Sequence, residues 1–89
     1  MISKASGRFW KAFERLPSDV KDKAREVYRL WTQDPQHPSL QFKKVHERLG
    51  IYSVRVSLGW RALCVKEGGI FIWFWIGSHS EYERILSQL

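Results

Sequence analysis

The chain is poor in the residues that would staple, kink or anchor it. It has one cysteine, Cys64, so no intramolecular disulfide can form, and a reducing compartment is expected. Only three prolines interrupt it, and two of them, Pro35 and Pro38, sit together. No run approaches the roughly 18–20 apolar residues of a membrane-spanning helix, the longest candidate being Ile70–Ile76. MISKASGRFW lacks the apolar stretch of a secretory signal, which makes the cytoplasm the expected location. Low-complexity tracts and internal repeats are also missing. Acidic residues are scarce: nine against fifteen Lys and Arg, a net charge of +6, which favours an anionic partner.

What is abundant is apolar and aromatic. A 44% hydrophobic and 15% aromatic composition in 89 residues suffices for one core, so a single domain over residues 1–89 is expected. The first half follows a helical period. Phe9, Phe13 and Leu16 share a face over Arg8–Leu16, and Val20, Ala24, Val27 and Trp31 recur at steps of four, three and four. Pro17-Ser18-Asp19 reads as the start of the second helix, and Pro35 ends it. The two helices are expected to form an antiparallel hairpin with an apolar seam. Beyond Pro38 the period becomes two. Leu40–Val45 alternates, and Ile51–Ser57, Trp60–Lys66 and Ile70–Ile76 are rich in β-branched and aromatic residues. Gly68-Gly69 marks a tight hairpin turn, the last strand is apolar enough to be covered on both faces, and Glu81–Leu89 reads as a short helix. The expected class is α+β: an N-terminal helical hairpin on a mainly antiparallel sheet of about four strands, with a short C-terminal helix.

Two hairpin registers are open between the second and third strands. A two-residue loop at Leu58-Gly59 sends Arg55 and Arg61 to opposite sides of the sheet. A three-residue loop, Ser57-Leu58-Gly59 with a left-handed glycine last, sets Val56 against Trp60 and Arg55 against Arg61. It also gathers Val54, Val56, Trp60, Ala62 and Cys64 on the other side. The second segregates apolar from charged side chains and is preferred. Its facing arginines repel each other by about 0.2–1 kcal/mol, which calls for an anion or for carboxylates such as Glu47, Glu67 or Glu81 nearby.

The strand end Ile76-Gly77-Ser78-His79 adds a group that titrates near neutrality. Beside two arginines, His79 suits proton transfer at a phosphodiester. Tyr82, one turn on, either stacks on a base, offers its hydroxyl to a phosphate, or packs on the sheet. Lys43, Lys44 and His46 form a basic rim, His37 lies in a surface connector, and the three scattered histidines do not suggest a metal site. Trp73 and Trp75 read as core. Cys64, on the apolar face, is not a nucleophile.

The segments LPSDVKDKAREVYRLW, HPSLQFKKV, YSVRVSLGWRAL and WFWIGSHSEYERIL together resemble the RelE/ParE superfamily of toxins from bacterial type II toxin–antitoxin systems. The resemblance spans nearly the whole chain; the YSVRVSLGWRAL hairpin and the IGSHSEY ending are its specific parts. It implies the helices-on-sheet fold and a protein antitoxin partner. It further implies, as in the RelE branch, cleavage of mRNA on the ribosome by attack of the ribose 2′-OH, without metal or cofactor. The ParE branch, which inhibits DNA gyrase, gives the alternative, and a module that only binds an antitoxin gives a third. Carried over by position, Arg55, Arg61 and His79 fall on basic positions of the nuclease site, Tyr82 lies near its C-terminal aromatic, and Lys43 and Lys44 lie in a segment facing ribosomal RNA. Where family members carry a first edge strand, this chain is expected to have none, or one reduced to Met1–Ser3.

Overall fold

A computed structural model describes residues 2–89; Met1 lies outside the described residues. The elements run β1 (Ile2–Ala5), α1 (Gly7–Glu14), α2 (Ser18–Gln33), β2 (Lys43–His46), β3 (Ile51–Ser57), β4 (Trp60–Glu67), β5 (Ile70–Ser78) and α3 (His79–Ser87). The sheet has five strands in the order β1-β5-β4-β3-β2. Strands β2 to β5 form the antiparallel meander that the alternating pattern predicts. The expectation of about four strands falls short by β1, which pairs in parallel with β5, Ile2 opposite Ile70 and Ala5 opposite Trp73. At four residues, ISKA, β1 is too short for its alternation to stand out, and its pairing comes from the far end of the chain. The edge strand expected to be missing or cut to Met1–Ser3 therefore reaches Ala5.

Both N-terminal helices lie on one face of the sheet, but not as a hairpin closed along its own seam. Helix α1 packs chiefly on β5 and α2 on β3. An apolar cavity of about 390 Å³ opens between them, lined in part by Phe9, Phe13, Val27 and Trp31. Helix α2 starts at Ser18 as read from Pro17-Ser18-Asp19, with Pro17 as its cap residue and no side chain capping that end. In contrast, Ser6 and Ser78 cap α1 and α3 with their hydroxyls. The strand expected from Leu40 starts only at Lys43. Pro38–Leu40 forms a 3₁₀ turn that drives Leu40 to 1% exposure, and Gln41 then turns left-handed at φ 45°.

The main core lies under α1 and α2 and centres on Trp31, 1% exposed, which meets Phe42, Phe71 and Trp73 edge-on at 5.6, 5.4 and 5.0 Å. A smaller cluster of Ile51, Leu63 and Tyr82 fills the space between the opposite face and α3, with Phe74 and Trp75 packed against it. A bulge serves this second layer. Leu63 pairs with Trp75 but Cys64 pairs with Trp73, which leaves Phe74 as the extra residue. Trp73 and Trp75 would share a face in a regular strand; the bulge sends Trp73 to the main core and Trp75 to α3.

The facing-arginine register is present, by a different device from the one expected. Ser57 pairs with Trp60 across a two-residue turn, and Val56 is an extra residue on β3 that restores Arg55 opposite Arg61. Gly59 is not left-handed; the left-handed glycines are Gly50, Gly68 and Gly69, the last two forming the predicted tight turn between β4 and β5. Val54, Val56, Ala62 and Cys64 lie in the main core with Trp60 against it, as expected. Because Trp31 joins α2 to β5 and to the segment before β2, Trp31→Ala is expected to lower the unfolding free energy by about 3–5 kcal/mol, read from urea denaturation followed by far-UV circular dichroism.

Candidate functional site

The charged side of the sheet is the face that α3 only partly covers. Directly paired residues share a face. Arg55 stands opposite Arg61, Arg61 opposite Gly77, and Lys43 opposite Ser53, whose side chain meets Tyr82 under α3. Lys43, Arg55 and Arg61 therefore form a basic stripe across β2, β3 and β4. Lys44 pairs with Tyr52 on the helix-covered side, lies 5.6 Å from that ring and is bonded at 3.5 Å to Glu47. The period of two thus separates the two lysines that the sequence places side by side. His46 pairs with Ile51 on the edge strand, and its Nδ1 accepts the Leu49 N–H at 3.2 Å. His37 likewise spends its Nδ1 on Ser39.

Arg61 holds the hairpin together. Its Nη1 donates to the carbonyls of Ser57 at 2.7 Å, Trp60 at 2.9 Å and Leu58 at 3.3 Å. These acceptors are neutral, so the turn is closed while the positive charge stays uncompensated. Among the described residues the ion pairs are Lys23–Glu26, Arg25–Asp22, Lys44–Glu47 and His79–Glu83. None involves Arg55 or Arg61. Of the carboxylates that the sequence offered as partners, Glu47 goes to Lys44 and Glu81 to Ser78, at 3.1 Å. Arg55 is half-buried and borders a groove that it shares with Lys23, Glu26 and Leu58.

The same turn anchors the histidine. Trp60 pairs with Ser78, and the His79 N–H donates to the Gly59 carbonyl at 2.8 Å. Helix α3 begins at His79, two residues before the start expected from sequence, because Ser78 caps it and accepts the Glu81 N–H at 3.2 Å. His79 is thereby fixed in the first turn, tied to the loop that Arg61 clasps. Its Nδ1 is sealed from solvent without a hydrogen-bond partner, whereas Nε2 lies 2.8 Å from Glu83 Oε1. Glu81 already occupies the end of the helix dipole, so an incoming anion would find the arginines rather than a bare helix terminus.

Tyr82 takes the third of the roles open to it. It is 7% exposed, its hydroxyl donates to Ser53 Oγ at 3.3 Å, and its ring stands 5.6 Å from that of His79. In this arrangement no ring face is open to a base. Beside Arg61, Gly77 has no room for a side chain: a Cβ there would lie 2.5 Å from the Trp75 indole, which lies across it. Cys64 is fully buried, and loss of hydration pushes its thiol from 9.0 to about 12 despite a backbone hydrogen bond involving Tyr52. Sequence reasoning did not single out Glu83. The signal was the i,i+4 spacing from His79, hidden by starting the helix at Glu81.

The profile of the ParE-like toxin domain matches residues 18–84, three quarters of the chain. The chain belongs to the ParE-like toxin family. It is a toxin-type domain of the RelE/ParE superfamily, and the resemblance carried by the hairpin and the IGSHSEY ending holds. YafQ from E. coli strain BL21(DE3) superposes with a TM-score of 0.72 at 14% identity, over 90% of this chain and 94% of YafQ. RelE in the RelB–RelE antitoxin–toxin complex from Methanococcus jannaschii gives 0.72 at 12% identity, over 91% and 95% of the two chains. The YoeB/ParE toxin from Agrobacterium tumefaciens gives 0.67 at 15%, over 89% and 99%. At such identities the likeness is one of fold. No curated protein matches the chain significantly in sequence. Among the described residues no helix is long and apolar enough to cross a membrane.

Two measurements follow from this geometry. Arg61→Ala is expected to speed amide exchange of the turn and of the His79 N–H while leaving core amides of β4 protected; equal acceleration throughout the sheet would contradict a local clasp. For Cys64, the raised folded value means that the thiol's contribution to stability is complete below about 9 and is lost as pH climbs through about 12. Cys64→Ala should flatten that part of the alkaline decline relative to the parent, measured by denaturant midpoint against pH.

Proposed function

We propose that this protein is the toxin of a toxin–antitoxin pair and cleaves mRNA on the ribosome, the 2′-OH attacking the adjacent phosphate. The observation that carries the reading is the coupling of three features at one sheet end. His79 is pinned to the β3–β4 turn, Arg61 clasps that turn with its charge uncompensated, and Arg55 with Lys43 extends the cationic stripe without a carboxylate partner. A purely structural sheet gains nothing from facing, unpaired arginines, while a phosphate passing to a pentacovalent state is stabilised by them. Arginine's fork keeps its charge at any working pH and grips phosphate oxygens in pairs.

His79 then moves the proton through Nε2, the ring nitrogen not sealed against the fold. Tyr82 and Ser53 support it from beneath rather than touching RNA. The site is an open surface, so productive alignment has to come from the ribosome, which holds the message still. Lys43 suits a contact with the RNA backbone on the same face; Lys44 and His46 lie at the rim of the edge strand. The expected antitoxin carries acidic residues that cover this charge. For an antitoxin partner as such, support comes from the RelE neighbour of Methanococcus jannaschii, seen in complex with RelB, and from the RelBE2 toxin–antitoxin complex of Mycobacterium tuberculosis.

Induced expression in a bacterial host is expected to arrest growth with cuts phased to codons. His79→Ala should abolish both, a loss of about 10²–10⁴ in cleavage rate for a proton-transfer group. Mapping of transcript 5′ ends reads the result. Arrest without cuts would replace the nuclease by a protein target such as gyrase.

A further inference from the structure

Cleavage of RNA by its own 2′-OH needs two proton movements, one from the attacking hydroxyl and one onto the departing 5′ oxygen. His79 supplies a single group. We infer that Glu83 is the second proton-transfer residue of the site, acting as base while His79 acts as acid. The inference rests on the nuclease reading above.

The geometry limits the choice. Nδ1 of His79 is sealed and unpartnered, so the imidazole acts through Nε2, and Nε2 is held 2.8 Å from Glu83 Oε1. An ionised carboxylate only accepts, hence the Nε2 proton is the donor in that bond. Any substrate oxygen that takes this proton must displace Glu83 and stays beside its carboxylate. Both side chains are open enough to exchange partners, at 44% exposure for His79 and 67% for Glu83, and their i,i+4 spacing keeps them on one face of α3. The other carboxylate in the first turn, Glu81, is committed to the Ser78 hydroxyl at 3.1 Å. Charged groups on the elements packed around the pair are Arg61 on β4, whose Lys66 and Glu67 lie at the far end of the strand, and, one strand further, Arg55 on β3; β5 contributes none, and α3 itself adds Glu81 and Arg84. The arginines offset the repulsion between the Glu83 carboxylate and an arriving phosphate.

The step balances. Glu83 takes the O2′ proton as O2′ bonds to phosphorus. The bond from phosphorus to O5′ breaks, and O5′ takes the Nε2 proton of the His79 imidazolium. The products are a 2′,3′-cyclic phosphate and a 5′-hydroxyl, with Glu83 protonated and His79 neutral. When the products leave, the resting contact re-forms and the proton returns from Glu83 to Nε2. The hydrogen bond seen in the free protein is thus the path that resets the pair.

The test is single-turnover cleavage of mRNA on programmed ribosomes between about pH 6 and 8.5, with wild type, Glu83→Gln, Glu83→Asp and His79→Ala. Thermal melting establishes that each variant folds. Glu83→Gln is expected to cut on the order of 10²-fold more slowly across this range, with Glu83→Asp restoring part of the rate. An unchanged or faster rate in Glu83→Gln, or no recovery in Glu83→Asp, overturns the base assignment while leaving the nuclease reading in place. Retained cleavage in His79→Ala would instead remove His79 as the acid, and no cleavage by the wild type would remove the nuclease reading itself.

Discussion

One extra residue on β3 governs the rest of the molecule. With Val56 bulged, Val54, Val56, Ala62 and Cys64 all enter the main core, and Arg55 meets Arg61 on the other side. A slip of one position would bury guanidinium groups under α1 and α2 and expose the aliphatic set, a change of several kcal/mol on any scale for burying charge. The apolar core and the cationic stripe are two readings of the same constraint, since the side chains that make one possible leave the other as their complement. The fold tolerates the repulsion between the arginines because the hydrophobic gain on the opposite face is larger.

The bulge also explains which parts of the structure were legible beforehand. The apolar pattern demanded the register, and the register is there; the backbone route to it was not readable, because two turn geometries yield the same facing pairs. The meander, both long helical patterns and the Gly68-Gly69 turn carry local signals and appear as expected. What escaped depends on distant partners. The pairing of β1 requires β5, the late start of β2 follows from how deeply Leu40 is drawn under α2, and the shift of Trp75 follows from a bulge at Phe74. At the candidate site, Arg55, Arg61 and His79 fall on one end of the sheet as the spacing implied. Tyr82 lies beneath that surface, packed with Ile51 and Leu63 and with its hydroxyl donating to Ser53, itself 2% exposed.

Polar interactions sort into two kinds here. Carbonyls and hydroxyls fix positions: Gly59 holds His79, three turn carbonyls hold Arg61, and Ser78 holds the start of α3. Carboxylates neutralise charge, and they do so on α2 and on the edge strand, but not on the arginine stripe. Rigid positioning without neutralisation is what electrostatic stabilisation of a reacting anion requires, since the donors need not reorganise when charge develops.

The parallel seam between β1 and β5 has a consequence for the order in which the molecule is made. Ile2 must wait for Ile70 before it can pair, a separation that spans most of the chain, so this seam can close only after β5 has been made. His79 follows directly on the same segment. A ribosome synthesising this protein therefore releases the strand that closes the sheet and His79 in one length of chain, Ile70–His79, and the five-stranded sheet is complete only once that length has left the tunnel.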